Sequence, residues 1–202
     1  MKKEIGFAGM LATALVAGGL MAVPMAQADK TKFDVDINPL AVQGCEDRVT
    51  GGGFILPVVN DTVHANFGAG GGLHHGELWG HLNYVDHDTL APVRHVKSKT
   101  VVAYCIGCGD PDCRRITYSP ATVDGVEVDQ VIIQVCDNGE PGVEDSFSIC
   151  IPSLGYCRGG VLGGDDQPSG GNIQLHAKDP GCAGTIPTCV TLPLCTCFPA
   201  CP

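Results

Sequence analysis

From about residue 46 to 178 the chain alternates short apolar runs with clusters of turn residues, at roughly ten-residue spacing. In Ser146–Ile151 the side chains Phe147, Ile149 and Ile151 share one face, and Ser146, Ser148 and Cys150 share the other. The stretch 172–176 alternates likewise, with Ile173 and Leu175 against Asn172, Gln174 and His176. The pattern predicts strands over 53–59, 62–67, 77–85, 93–96, 100–105, 115–119, 126–136, 146–151, 155–161 and 172–176. Asp124-Gly125 carries a hairpin-turn signal, and residues 137–142 (DNGEPG) read as a longer turn. The stretch 68–76, rich in glycine, reads as a flexible loop. No part of this region keeps a helical period with caps. The expected fold is therefore all-β: an antiparallel sandwich or closed barrel of about ten short strands.

The N-terminal pattern differs. Lys2 and Lys3 precede an apolar run from Ile5 to about Val23, Pro24 ends it, and Ala26-Gln27-Ala28 follows. This is the layout of a secretory signal over 1–28, with Asp29 as the expected mature N-terminus. An uncleaved anchor is the competing reading, opposed by glycines at 6, 9, 18 and 19 and by the small-x-small site. Residues 29–49 form a lead segment, 50–178 the β domain and 179–202 a cysteine-rich extension. That extension has few core candidates, so it reads as an appendage held by covalent ties.

Removing 1–28 takes two lysines and one glutamate from 12 basic and 22 acidic side chains, leaving 10 and 21, a charge of −11. A surface this acidic repels phosphate backbones and anionic lipid, which disfavours nucleic-acid and membrane-surface partners. After signal cleavage no segment is apolar enough for insertion. All 12 cysteines lie in the mature part: Cys45, Cys105, Cys108, Cys113, Cys136, Cys150, Cys157, Cys182, Cys189, Cys195, Cys197 and Cys201. Behind an export signal this even count reads as disulfides. Cys150 with Cys157, and Cys105 with Cys113, flank short connections and are candidate pairs; Cys45 is expected to join the extension.

Several words of the sequence, in order, resemble a family of secreted bacterial all-β proteins, the post-COAP domain proteins. They are Gly51-Gly52-Gly53-Phe54-Ile55, Ala65-Asn66-Phe67-Gly68 and Gly80-His81-Leu82-Asn83-Tyr84-Val85-Asp86-His87. The most specific is Asp137-Asn138-Gly139-Glu140-Pro141-Gly142 followed by Asp145-Ser146-Phe147-Ser148-Ile149, and Gly171-Asn172-Ile173-Gln174-Leu175-His176 closes the set. The resemblance covers about 50–178 and implies a compact β unit in an exported or surface protein. It carries no activity and no catalytic residue. The cysteines at 105, 108, 113, 136, 150 and 157 and the extension depart from the family's pattern.

Three constellations carry candidate chemistry. Cys105-x-x-Cys108-x4-Cys113 could hold zinc or an iron–sulfur cluster, or act as a redox dithiol, but a disulfide-laced loop is the simpler account. Six of the seven histidines fall between 64 and 95; His74, His75, Glu77, His81, Asp86 and His87 are candidate ligands for a transition metal. Asp86 and Asp88, or Asp137, Glu140, Glu144 and Asp145, are candidate oxygen ligands for calcium, set against ordinary turn chemistry. The nucleophile elbow, the zinc-protease helix, the P-loop and the dinucleotide fingerprint are all absent. No catalytic residue and no cofactor is called for. The expected role is a structural or adhesive module outside the cell, in the periplasm or on the surface, with an unknown protein or surface partner and self-association left open. The alternatives are an exported zinc- or calcium-binding protein and, with less support, an extracellular hydrolase.

Overall fold

A computed structural model describes residues 45–56, 63–142, 144–163, 170–177 and 186. Twelve strands occur among them: β1 Asp47–Ile55, β2 Ala65–His74, β3 Glu77–Asp86, β4 His95–Ser98, β5 Val101–Ile106, β6 Cys113–Tyr118, β7 Ala121–Val123, β8 Val126–Val128, β9 Val131–Cys136, β10 Ser146–Ile151, β11 Tyr156–Val161 and β12 Gly171–Ala177. They form two antiparallel sheets, β12-β1-β2-β3-β4-β7-β8 and β11-β10-β9-β6-β5. The sheets do not close into a barrel. Of the two expected architectures the sandwich is the one observed.

The alternation in β10 does what its period requires. Phe147, Ile149 and Ile151 are fully buried between the sheets, while Ser146 and Ser148 are half-buried on the opposite face. Phe147 stacks on Phe67 of β2 with ring centroids 3.9 Å apart. In β12 Ile173 is buried and Leu175 packs against the core, with Gln174 exposed. A register slip of one residue would reverse every one of these assignments.

Three expectations about elements are corrected. Residues 126–136 are not one strand: Asp129 and Gln130 interrupt them, so β8 stays beside β7 while β9 crosses to the other sheet. There β9 is buried along its whole length, between β10 and β6. β7 lies outside the runs the pattern selects. The stretch 68–76 is not a flexible loop, because β2 runs through it to His74 between β1 and β3. Its glycines answer a packing need. A Cβ on Gly71 would lie 2.9 Å from Ile116 Cδ1 of the facing sheet, and its cross-strand neighbour Gly80 would strike Val101.

The cysteine pairing is half as expected. Cys150 and Cys157 are bonded, opposed across the β10–β11 pair with Cα atoms 4.3 Å apart. Cys113 is bonded to Cys136, not to Cys105, at a Cα separation of 4.1 Å. The cause is register: β6 places Cys113 directly opposite Cys136 of β9, whereas Cys105 faces Arg115. Cys45 and Cys105 are each disulfide-bonded too, and the expected link from Cys45 to the extension lies outside the described residues. The signal 1–28, most of the lead segment and the extension lie outside the described residues, except Ile186, which is buried in the core.

Buried polar groups tie one sheet to the other. All four tyrosines are buried, and three of them reach from the five-stranded sheet to the seven-stranded one. Tyr104 donates to Asp47 of β1, Tyr118 to the carbonyls of Gly70 and His81, and Tyr156 to Asp86 of β3 at 2.7 Å. Asp47 also receives a bidentate pair from Arg114, Nε at 2.9 Å and Nη2 at 2.8 Å.

Candidate functional site

The turn between β2 and β3 gathers a set of donor side chains. His74 and Glu77 face each other across the two-residue turn His75-Gly76, whose φ angles are 54° and 84°. Two successive positive φ values suit the right-handed twist of a hairpin, and the first position normally falls to Asn, Asp or Gly. Histidine is, with Asn and Asp, one of the non-glycine residues that tolerate this left-handed position.

The segment entering β1 holds this turn. Gly76 N–H donates to the Cys45 carbonyl at 3.2 Å, and His75 N–H donates to Glu46 Oε1 at 2.8 Å. Extended backbone then divides three consecutive charges between two faces. Asp47 points into the sandwich, while Glu46 and Arg48 point to the turn. Glu46 Oε2 lies 3.2 Å from His74 Nδ1, Glu46 Oε1 lies 3.0 Å from His75 Nδ1, and the Arg48 guanidinium contacts both Glu46 and, at 3.3 Å, His74 Nδ1. The His75 N–H, aided by the two imidazoles, holds the Glu46 carboxyl below its usual range against a partial burial that works the other way.

Among the described residues this is the one place where three such side chains bring ligand atoms within 4.8 Å of one another. Two of its members, His74 and His75, are among the sequence candidates. The other four are not in the group. Glu77 is exposed across the turn, and His81 stands four residues further along β3 with its ring edge-on to Trp79. Asp86 and His87 are at the far end of β3. Asp86 is buried and occupied by Tyr156 and by the Asp88 N–H, and the His87 ring packs at a tilt against that of His64, centroids 4.6 Å apart. Glu46 was missed because it belongs to a lead segment that shows no pattern; its one signal is the Glu46-Asp47-Arg48 triplet entering a strand.

The acidic residues after β9 do a different job. β12 is an edge strand, and its outward amides at 173 and 175 have no neighbouring strand. Asp145 Oδ2 accepts from Ile173 N–H and Asp137 Oδ2 from Leu175 N–H, each at 2.7 Å, while Asp145 Oδ1 accepts from Asn138 N–H at 2.8 Å. Burial nonetheless pushes the Asp145 carboxyl up, with the nearby Asp137 and Glu140 charges adding to it and the two amides opposing it. Carboxylates committed to backbone amides in this way seal an open strand edge.

The outer face of the seven-stranded sheet is polar and has a low floor. Gly70 and Gly72 of β2 lie between Thr50 and Arg48 of β1 and His81 and Trp79 of β3. Trp79 is 40% exposed, with its ring 6.3 Å from that of His74. Thr50 bonds His176 at 2.9 Å on one side of this floor, and Asn83 bonds His95 at 2.9 Å on the other.

Comparison of the chain with protein-family models, with curated proteins and with solved structures returns no match.

Proposed function

We propose that the protein is an exported, disulfide-hardened structural or adhesive module of the cell envelope or extracellular matrix. The observation that carries this reading is the oxidised state of the six cysteines whose side chains are described. Cys113–Cys136 and Cys150–Cys157 each join strands already paired in the sheet, and Cys45 and Cys105 are bonded as well. Such bonds persist where the surroundings are oxidising, outside the cytosol. The Gly-floored outer face with Trp79 and its neighbouring imidazoles is the surface this reading assigns to a partner.

The same proposal takes 50–178 as a post-COAP domain. In its favour, four of the five resembling words fall on β12, β1, β2 and β3, which are consecutive neighbours in one sheet. The fifth supplies Asp137 and Asp145, which hold β12 in place.

Expression of the full chain in an exporting bacterium tests this reading. Mature protein beginning at Asp29, with no thiol alkylated before reduction, supports it. Accumulation of uncleaved, reduced and folded protein in the cytosol overturns it. For adhesion, the mature protein is expected to co-sediment with extracellular matrix from the producing cells, and Trp79→Ala to release it.

A further inference from the structure

We propose that Glu46, His74 and His75 form a binding site for one divalent transition-metal ion of the zinc, copper or nickel class. This goes beyond the structural reading and does not depend on it. The three side chains supply two imidazole nitrogens and one carboxylate oxygen, with all ligand atoms within 4.8 Å of one another. Nitrogen-rich donor sets suit these borderline ions, whereas calcium requires six or more oxygens. A tetrahedral ion with bonds near 2.0–2.2 Å sets its ligand atoms roughly 3.4 Å apart. The Glu46 carboxylate already lies about that close to each imidazole, Oε2 3.2 Å from His74 Nδ1 and Oε1 3.0 Å from His75 Nδ1, so a small turn of the carboxyl presents one oxygen to an ion between them.

The backbone builds the arrangement in advance. His75 holds a left-handed position in the turn, which sets its ring beside the Glu46 carboxylate. Two hydrogen bonds fix the turn to Cys45 and Glu46, and Cys45 is itself buried and disulfide-bonded. The ligands therefore come from two segments that are joined without any metal. On the solvent side the site is open, since the His75 side chain is 81% exposed, so further coordination positions go to water or to a group from outside.

Arg48 is the obstacle, and it makes the assignment specific. Its guanidinium contacts the Glu46 carboxylate and lies 3.3 Å from His74 Nδ1, where it stands as the cation of the metal-free form. A dication and a guanidinium repel each other at that distance, so metal entry turns the partly buried Arg48 side chain outward. Arg48 thus opposes binding while its immediate neighbours favour it.

Calorimetric titration of the mature, disulfide-intact protein with Zn²⁺ alone tests this. One equivalent is expected to bind. His75→Asn, which keeps a residue tolerant of positive φ in the turn, and His74→Gln should each weaken binding at least about tenfold. His81→Asn should leave it unchanged, and Arg48→Gln should tighten it several-fold, a gain that a misfolded protein cannot give. The assignment is overturned by the lack of saturable binding, by binding that survives both His75→Asn and His74→Gln, by binding that His81→Asn abolishes, or by an Arg48→Gln variant that binds more weakly.

Discussion

Two buried carboxylates, Asp47 and Asp86, join the sheets at opposite ends of the sandwich by different means. Asp47 meets a full counter-charge: Arg114 grips both oxygens, and each side chain is almost wholly buried. Asp86 is more deeply enclosed yet lacks such a partner. It accepts from Tyr156, whose hydroxyl is also 2.6 Å from that of Tyr84, while Arg158 stands 3.5 Å away and is 26% exposed. An ion leaving water needs either an opposite charge in good geometry or several hydrogen bonds. The Asp47 end uses the first and adds Tyr104; the Asp86 end relies mainly on the second. The lesson is that one task, locking two sheets in a single relative position, does not require one chemistry.

Alkaline pH treats both ends alike and should give the largest effect. Burial pushes all four tyrosine hydroxyls up, with nearby carboxylates contributing at Tyr104, Tyr84 and Tyr156. Their folded pKa values lie above the unfolded value, so stability is fully present below about pH 10 and is lost as pH rises past it. Each tyrosine contributes up to about 1.4 kcal/mol per pH unit. The tyrosinate absorption band should therefore grow in one cooperative step, together with loss of the β-sheet circular dichroism signal. Gradual tyrosine ionisation in a folded protein would contradict the burial of these hydroxyls.

Single substitutions then separate the ends. Arg114→Leu strands an unpaired charge and should destabilise by about 3–5 kcal/mol in denaturant unfolding. Adding Asp47→Asn to Arg114→Leu should recover part of that loss, because it removes the charge. Cys113→Ala with Cys136→Ala closes no loop and should cost about 3 kcal/mol; the shorter Cys150–Cys157 loop should matter somewhat less. Tyr156→Phe removes one donor from Asp86 and should cost about 1–3 kcal/mol. Arg158→Gln comes last, within about 1 kcal/mol, since Arg158 is partly solvated and 3.5 Å from Asp86. If Arg158→Gln proved as costly as Arg114→Leu, the two ends would be ion-paired alike and the contrast between them would fail.

Features that depend on neighbours along the chain were legible from the residues alone. The inward face of β10, the Asp124-Gly125 turn with φ of 50° and 84°, and the Cys150–Cys157 bond all follow from period two and from turn chemistry. In each, the deciding partner is only a few residues away. Features that depend on which strand becomes whose neighbour were not. The partner of Cys113 is 23 residues distant and was set by the register of β6 on β9. The apolar run after Val126 divides at Asp129 because β8 and β9 belong to different sheets. The glycines of β2 could be read as a loop until Ile116 and Val101 of the facing sheet gave them a reason to lack side chains.

The donor cluster at the turn shows the same division. His74 and His75 stand out in the sequence by type, and a strand and turn suffice to place them side by side. Glu46, 28 residues before His74, reaches them because β1 lies against β2. Asp47, the next residue, is turned inward by the same backbone and spends its charge on Arg114. Alternation along a strand is a property of the local backbone, so these two acids point opposite ways once the chain is extended here, although no pattern in the residues marked a strand starting at Asp47. What each one meets was decided by the tertiary structure, because long-range pairing alone brings a carboxylate to the imidazole or guanidinium that completes it.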